Sequence, residues 1–183
     1  ENNLKMHMDG ARMLNAAVEA EVDPAEYGQY FDSIWIDLSK GLGAPVGSVL
    51  AGSADFIEKA RFWKQRLGGA MRQAGIIAAG GIFALEHNVA RLKEDHKHAR
   101  MLAETIADQE GLEIDPETVD TNIVLFSVAD GKADLYADEL LKKGIRVSRL
   151  EGKLRAVTHL DLSLEDIRYA VKHFEKTARE IFA

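Results

Sequence analysis

A lysine set between an apolar run and a string of glycines is out of place on an ordinary solvated surface. Lys40 is such a residue. Ser33–Leu38 (SIWIDL) reads as a buried strand, and Gly41, Gly43 and Gly47 follow within the run KGLGAPVG. Partial burial of a lysine disfavours its ammonium form, and the neutral amine is the nucleophile that Schiff-base chemistry requires. The alternative is a turn lysine directed to water. The glycines do not make a nucleotide loop: they miss the G-x-G-x-x-G spacing by one residue and run into a strand, not a helix. A phosphate loop, in turn, places its lysine after its glycines.

Asp9 ends one strand as Lys40 ends the next, so in a parallel α/β sheet both face one edge, where such folds place their ligands. A carboxylate there holds a heteroaromatic nitrogen protonated, or it caps the helix that begins at Ala11. Arg12, Arg72 and Arg155 carry the planar fork that binds carboxylate or phosphate in bidentate fashion, and each also reads as a surface arginine. Arg155 shares a strand face with Val157 and His159. Arg72 follows the Gly68-Gly69 break near a helix start, where an anion feels the helix dipole. His96 lies on an apolar helical stripe and reads as structural. His98 points elsewhere, so the pair makes a poor metal site, and none is expected. The run Lys93–Arg100 reads as a solvated face.

The elements that must position these residues follow from periodicity and punctuation. Leu4, Met6 and Met8 alternate with polar residues as a short strand ending at the turn dipeptide Asp9-Gly10, and a helix covers Ala11–Glu21 until Asp23-Pro24 closes it. Ser48–Ala51 returns as a strand, making residues 33–51 a hairpin with a long tight loop. Asp55–Leu67 is helical. A long periodic stretch spans Met71–Gln109, with a weak point and domain junction at Gly80-Gly81. Further on, Asn122–Val128, Ile145–Leu150 and Leu154–His159 read as strands. Ala133–Lys143 and Ser163–Ala183 read as helices, with Ser163 as an N-cap. The division is 1–83 for the end of a larger α/β domain and 84–183 for a small domain.

Composition limits the function classes. The 183 residues include 23 basic and 30 acidic side chains, a formal charge of −7, and no cysteine. That excludes disulfides and cysteine-held metal, and it disfavours nucleic acid as a partner. The least polar stretch, Gly41–Ala54, is too short to cross a bilayer. The chain opens Glu-Asn-Asn-Leu-Lys without the basic-then-apolar pattern of a leader, and the expectation is a soluble, cytoplasmic protein.

Four segments in order carry a family resemblance: His7–Arg12 (HMDGAR), Asp37–Ser48 (DLSKGLGAPVGS), Arg66–Gly75 (RLGGAMRQAG) and Arg155–Asp161 (RAVTHLD). Together they resemble the L-threonine aldolases, the low-specificity and L-allo-threonine types, across the whole chain. The resemblance implies the aspartate-aminotransferase-like fold, fold type I of the pyridoxal-phosphate enzymes, present here as the last part of the large-domain sheet and a small α+β domain. It implies an aldehyde-lyase that uses pyridoxal 5'-phosphate to cleave threonine or allo-threonine into glycine and acetaldehyde. By the same resemblance Lys40 is the Schiff-base lysine, Asp9 pairs with the pyridinium nitrogen, and Arg12 and Arg155 bind the substrate carboxylate. Arg72 reaches the cofactor phosphate from a neighbouring subunit, in a homodimer or a homotetramer built as a dimer of dimers.

The family draws its phosphate cup and the histidine stacked on the cofactor ring from a preceding segment, and no residue here takes those roles. The expectation is therefore the carboxy-terminal half of a subunit, active only with its amino-terminal half as partner. Two rival readings stand beside it: a related fold-type-I lyase that cleaves phenylserine or eliminates a β-substituent, and an inactive structural fragment.

Overall fold

β-branched and aromatic residues in Ser33–Asp37 form β2, which pairs in parallel with β1 (His7–Gly10) and antiparallel with β3 (Ser48–Gly52). Met8, Ile34 and Ile36 project to one face of this sheet and pack on Met13, Leu14, Leu38, Leu42 and Ala44. The other face carries His7, Asp9, Ser33, Trp35 and Asp37. The strict two-residue alternation of a strand makes this division. The computed structural model describes residues 4–183. They fall into two units, the first ending at Leu92 and the second covering Lys93–Ala183.

Within the first unit the structure amends several expectations. The first strand starts at His7, and Leu4 and Met6, 76% and 53% exposed, lie ahead of it. Gly10 belongs to the strand and is not a turn. A Cβ there would lie 2.3 Å from the Trp35 carbonyl oxygen, so only glycine admits the neighbouring strand. Gly10→Ala is expected to destabilise the protein by about 2–3 kcal/mol, read as a lower denaturation midpoint.

Helix α1 (Met13–Ala20) ends where Glu21 turns left-handed at φ 56. Asp23-Pro24 does not simply close it. Asp23 caps a second short helix, α2 (Pro24–Gly28), by accepting from the Ala25 N–H at 2.8 Å. The pair that stops one helix thus starts the next.

Helix α3 spans Ala54–Arg66, capped by Ser53. The long periodic stretch then divides into α4 (Gly75–His87) and α5 (Leu92–Ala107), broken at residues 88–91 and not at Gly80-Gly81. Those glycines serve contact, not flexibility. A Cβ on Gly80 would lie 2.8 Å from Pro45, and one on Gly81 would lie 2.9 Å from Leu38. The break comes where the Asn88 side-chain amide donates to the Leu42 carbonyl at 2.7 Å.

The second unit is α+β. Its antiparallel sheet has the order β4–β5–β7–β6, with β4 (Leu112–Glu113), β5 (Ile123–Val128), β6 (Ser148–Leu150) and β7 (Lys153–Val157). β4 was not expected, and the expected strand from Ile145 shortens to β6. Val124, Phe126, Leu154 and Ala156 on one face meet Ala99, Leu102 and Ile106 of α5, Tyr136 and Leu140 of α6 (Ala133–Lys142), and Ile167 and Phe174 of α7 (Leu164–Phe182). Ser163 caps α7 in a reciprocal box with Asp166, whose carboxyl those Ser163 hydrogen bonds hold below its ordinary pKa. Burial pushes the Tyr136 hydroxyl pKa up while its O–H donates to the Phe174 carbonyl at 2.9 Å. Lys93–Arg100 is not a uniform solvated face, because Asp95, His96, His98 and Ala99 are all buried. The Thr158 hydroxyl draws that turn of α5 inward by donating to the Asp95 carbonyl at 2.6 Å.

Candidate active site

Because β1 and β2 run parallel, their carboxyl ends open on one edge of the first sheet, and Asp9 and Lys40 stand there. Parallel register sets Asp9 beside Trp35 on the same face. The His7 ring nitrogen and Ser33 hydroxyl, 2.8 Å apart, show that register partners on this face meet. The Lys40 ammonium lies over the Trp35 ring, 5.3 Å from its centroid. Trp35 is therefore the strand partner of Asp9 and carries the Lys40 amine over its ring.

Asp37 builds the turn that presents Lys40. Its Oδ1 accepts from the Ser39 N–H at 2.6 Å, the Ser39 hydroxyl at 2.8 Å and the Lys40 N–H at 3.1 Å. Its Oδ2 lies 3.3 Å from the Lys40 ammonium. Burial pushes the Asp37 carboxyl pKa up, but the bonds from Ser39 and Lys40 outweigh it and hold the group below the ordinary carboxylate range. Lys40 keeps 39% of its side chain exposed, so it is half-sheltered against Asp37 and Trp35.

Beyond it the loop is anchored by apolar residues. Leu42 and Ala44 are buried, and the Ala44 N–H donates to the Leu38 carbonyl at 2.8 Å. Gly43 and Gly47 take φ values of 67 and 115, which only glycine adopts readily.

Asp9 does not cap α1. That helix starts at Met13 with no side-chain cap, and Asp9 Oδ1 instead accepts from the Ala11 N–H at 3.1 Å. The carboxylate is exposed and held in a local turn. Arg12 is half-buried at the residue preceding α1, on the same edge. Arg72 stands exposed in the turn ahead of α4 and makes no hydrogen bond or ion pair with Asp9 or Lys40 among the described residues. Arg155 belongs to the second unit. It is half-buried on β7, opposite Leu125 of β5 and Ser148 of β6, on the face away from the helices.

The structure thus gathers Asp9, Arg12 and Lys40 at one strand edge and places Arg72 and Arg155 on other elements. Asp37 and Trp35 are the site residues that sequence reasoning missed. The signal for Asp37 was present, since Asp-x-Ser opens a side-chain turn, and Trp35 was legible only through strand register.

The donor set fits pyridoxal phosphate: an amine for its aldehyde, a carboxylate for its ring nitrogen and guanidinium groups for anions. No group of three or more His, Cys, Asp or Glu residues able to hold a metal occurs among the described residues. The second unit has a cavity of about 460 Å³ lined by residues that include Leu102, Arg146, Thr158, Tyr169 and Phe174. None of the five residues singled out from the sequence lines it.

Comparison with known proteins gives a consistent answer. The beta-eliminating lyase family model matches residues 1–130. The low specificity L-threonine aldolase of Escherichia coli K12 is 41% identical over 174 residues, covering 95% of this chain and 51% of that protein. A crystal structure from Exiguobacterium sp., described as a putative aromatic amino acid beta-eliminating lyase/threonine aldolase, superposes with a TM-score of 0.77 at 25% identity, covering 95% of this chain and 52% of that one. A putative L-allo-threonine aldolase from Listeria monocytogenes gives 0.75 at 22% identity, with 95% and 52% coverage, a likeness of fold. The chain spans about half the length of the curated relatives it matches. The architecture is the fold type I that the sequence implied, and no described helix is long and apolar enough to cross a membrane.

Proposed function

The chain belongs to the beta-eliminating lyase family, and on that premise we propose that it supplies the lysine, aspartate and arginines of a pyridoxal-phosphate aldehyde-lyase. The reaction is cleavage of L-threonine or L-allo-threonine to glycine and acetaldehyde. The observation that carries the reading is the placement of Lys40 and Asp9 around Trp35 at the edge of two parallel strands. The 41% identity to the Escherichia coli aldolase supports the choice of reaction.

Bound pyridoxal phosphate supplies an aldehyde that captures amines and a ring that accepts the electrons of the breaking Cα–Cβ bond. Lys40 provides the amine that anchors it, and Asp37 orients that amine while Trp35 shelters it. Asp9 holds a proton at the ring nitrogen through a charge-assisted hydrogen bond. Arg12 grips the substrate carboxylate in a planar fork, and Arg155 is proposed as a second group for the same carboxylate. A carboxylate held this way selects which Cα bond lies in line for cleavage. Arg72 contributes its charge to the cofactor phosphate of a neighbouring subunit, which goes with a homodimer or homotetramer, and the cytoplasm is the compartment this metabolic role fits.

A second reading is β-elimination, favoured by the family description itself. The test supplies the holoenzyme with L-threonine, L-allo-threonine, phenylserine and an aromatic amino acid, and measures glycine, aldehyde and ammonia. Glycine with acetaldehyde in equal amounts is expected. Ammonia without glycine would establish the eliminating lyase, and no turnover of any substrate would leave a structural fragment.

A further inference from the structure

We propose that Thr158 and Asn122 are positioning residues for Arg155, locking β7 in the register that presents its guanidinium. The inference rests on the carboxylate-binding role proposed for Arg155.

Arg155 occupies the open face of the second sheet, while Leu154, Ala156 and Thr158 project to the opposite face, where the helices pack. A one-residue slip of β7 reverses this and drives the guanidinium into an apolar layer, where an unpaired charge is costly. On one side β5 pairs with β7 over Leu154–Val157, while on the other side β6 is three exposed residues long and adds little to the register.

A further hold lies just past the end of β7. The Thr158 N–H donates to the Asn122 carbonyl at 3.1 Å, and the Asn122 side-chain amide donates back to the Thr158 carbonyl at 2.8 Å. The Thr158 hydroxyl donates at 2.6 Å to the Asp95 carbonyl in the first turn of α5. Thr158 and Asn122 are 0% and 2% exposed. Buried groups keep such bonds because water is not there to replace them. The Asn122 side-chain oxygen is buried without a hydrogen-bond partner among the described residues, a destabilising feature that an apolar side chain would avoid. Asn122 is therefore better explained by what its N–H fixes than by stability alone. Thr158 is tied at once to the residue before β5 and to α5, three residues from Arg155, and strand sliding breaks all three bonds together.

The test compares T158V, T158S, N122A and R155A in the holoenzyme, with KM for L-threonine, kcat, the absorbance of bound cofactor and Tm as readouts. T158V is expected to raise KM about tenfold with kcat moved by less than about twofold and the cofactor absorbance kept. T158S, which restores the hydroxyl, is expected to return KM to within about twofold of the parent. In R155A/T158V the KM should equal that of R155A alone, because Thr158 acts through Arg155. If T158V does not fold, N122A carries the same comparison with the hydroxyl bond intact. An unchanged KM in T158V or N122A beside a lowered Tm overturns the inference, as does T158S behaving like T158V. An unchanged KM in R155A removes the role of Arg155 itself, and the positioning claim with it. A raised KM in R155A alone leaves that role standing and refutes only the positioning.

Discussion

Lys40→Ala in the holoenzyme is expected to remove the visible absorbance of the lysine-bound cofactor and to lower kcat by at least about a thousandfold, since alanine has no amine to anchor the aldehyde. The fold should scarcely notice. Asp37 keeps its three bonds from Ser39 and the Lys40 backbone in the variant. The ion pair that is lost, 3.3 Å long with the lysine 39% exposed, belongs to a class worth about 0–1 kcal/mol. An unchanged thermal midpoint beside absent activity therefore distinguishes lost chemistry from unfolding. Persistence of the absorbance band in Lys40→Ala would show that the cofactor is anchored elsewhere. Lys40→Arg should fare no better, because a guanidinium keeps the charge near Asp37 and Trp35 but offers no nucleophilic amine.

Asp9→Asn is the second large effect and separates charge from shape. The asparagine carbonyl can still accept from the Ala11 N–H, the one hydrogen bond that Asp9 makes among the described residues. What disappears is the negative charge proposed to hold a proton on the cofactor's ring nitrogen. A charge-assisted hydrogen bond contributes about 1.5–3 kcal/mol, which at ~1.4 kcal/mol per tenfold predicts a fall in kcat of roughly 10- to 150-fold. The cofactor should remain anchored through Lys40, with its absorbance maximum shifted. Parental kcat in Asp9→Asn would refute the assignment and leave Asp9 as a turn residue.

Lys40 and Asp9 of the candidate site are marked in the sequence because their signals are local. Lys40 is marked by an apolar run before it and glycines after it, and Asp9 by the end of a strand pattern. The long tight loop expected between β2 and β3 is present, and Gly43 and Gly47 in it take positive φ. Local signals misled where a residue had two uses. Asp23-Pro24 reads as a stop and is a start, since the same fixed proline φ serves both. Gly80-Gly81 reads as a weak point in a helix and is a contact, because helix propensity carries no information about Pro45 and Leu38 lying against those positions. The turn at 88–91 went unseen because the bond that ends α4 reaches 46 residues back, to the Leu42 carbonyl.

What the sequence determined by itself was the chemistry: which residue types are present, in what order, and on which short elements they ride. Periods of two and 3.6 residues, turn dipeptides and caps are properties of neighbours along the chain, and they survive without a fold. What only the tertiary structure decided was partnership. Trp35 beside both Asp9 and Lys40 depends on the register between β1 and β2, and Thr158 tied to Asn122 and the Asp95 carbonyl depends on three segments meeting. Such contacts are set by how apolar faces bury against one another over long separations, and spacing along one chain does not encode that distance.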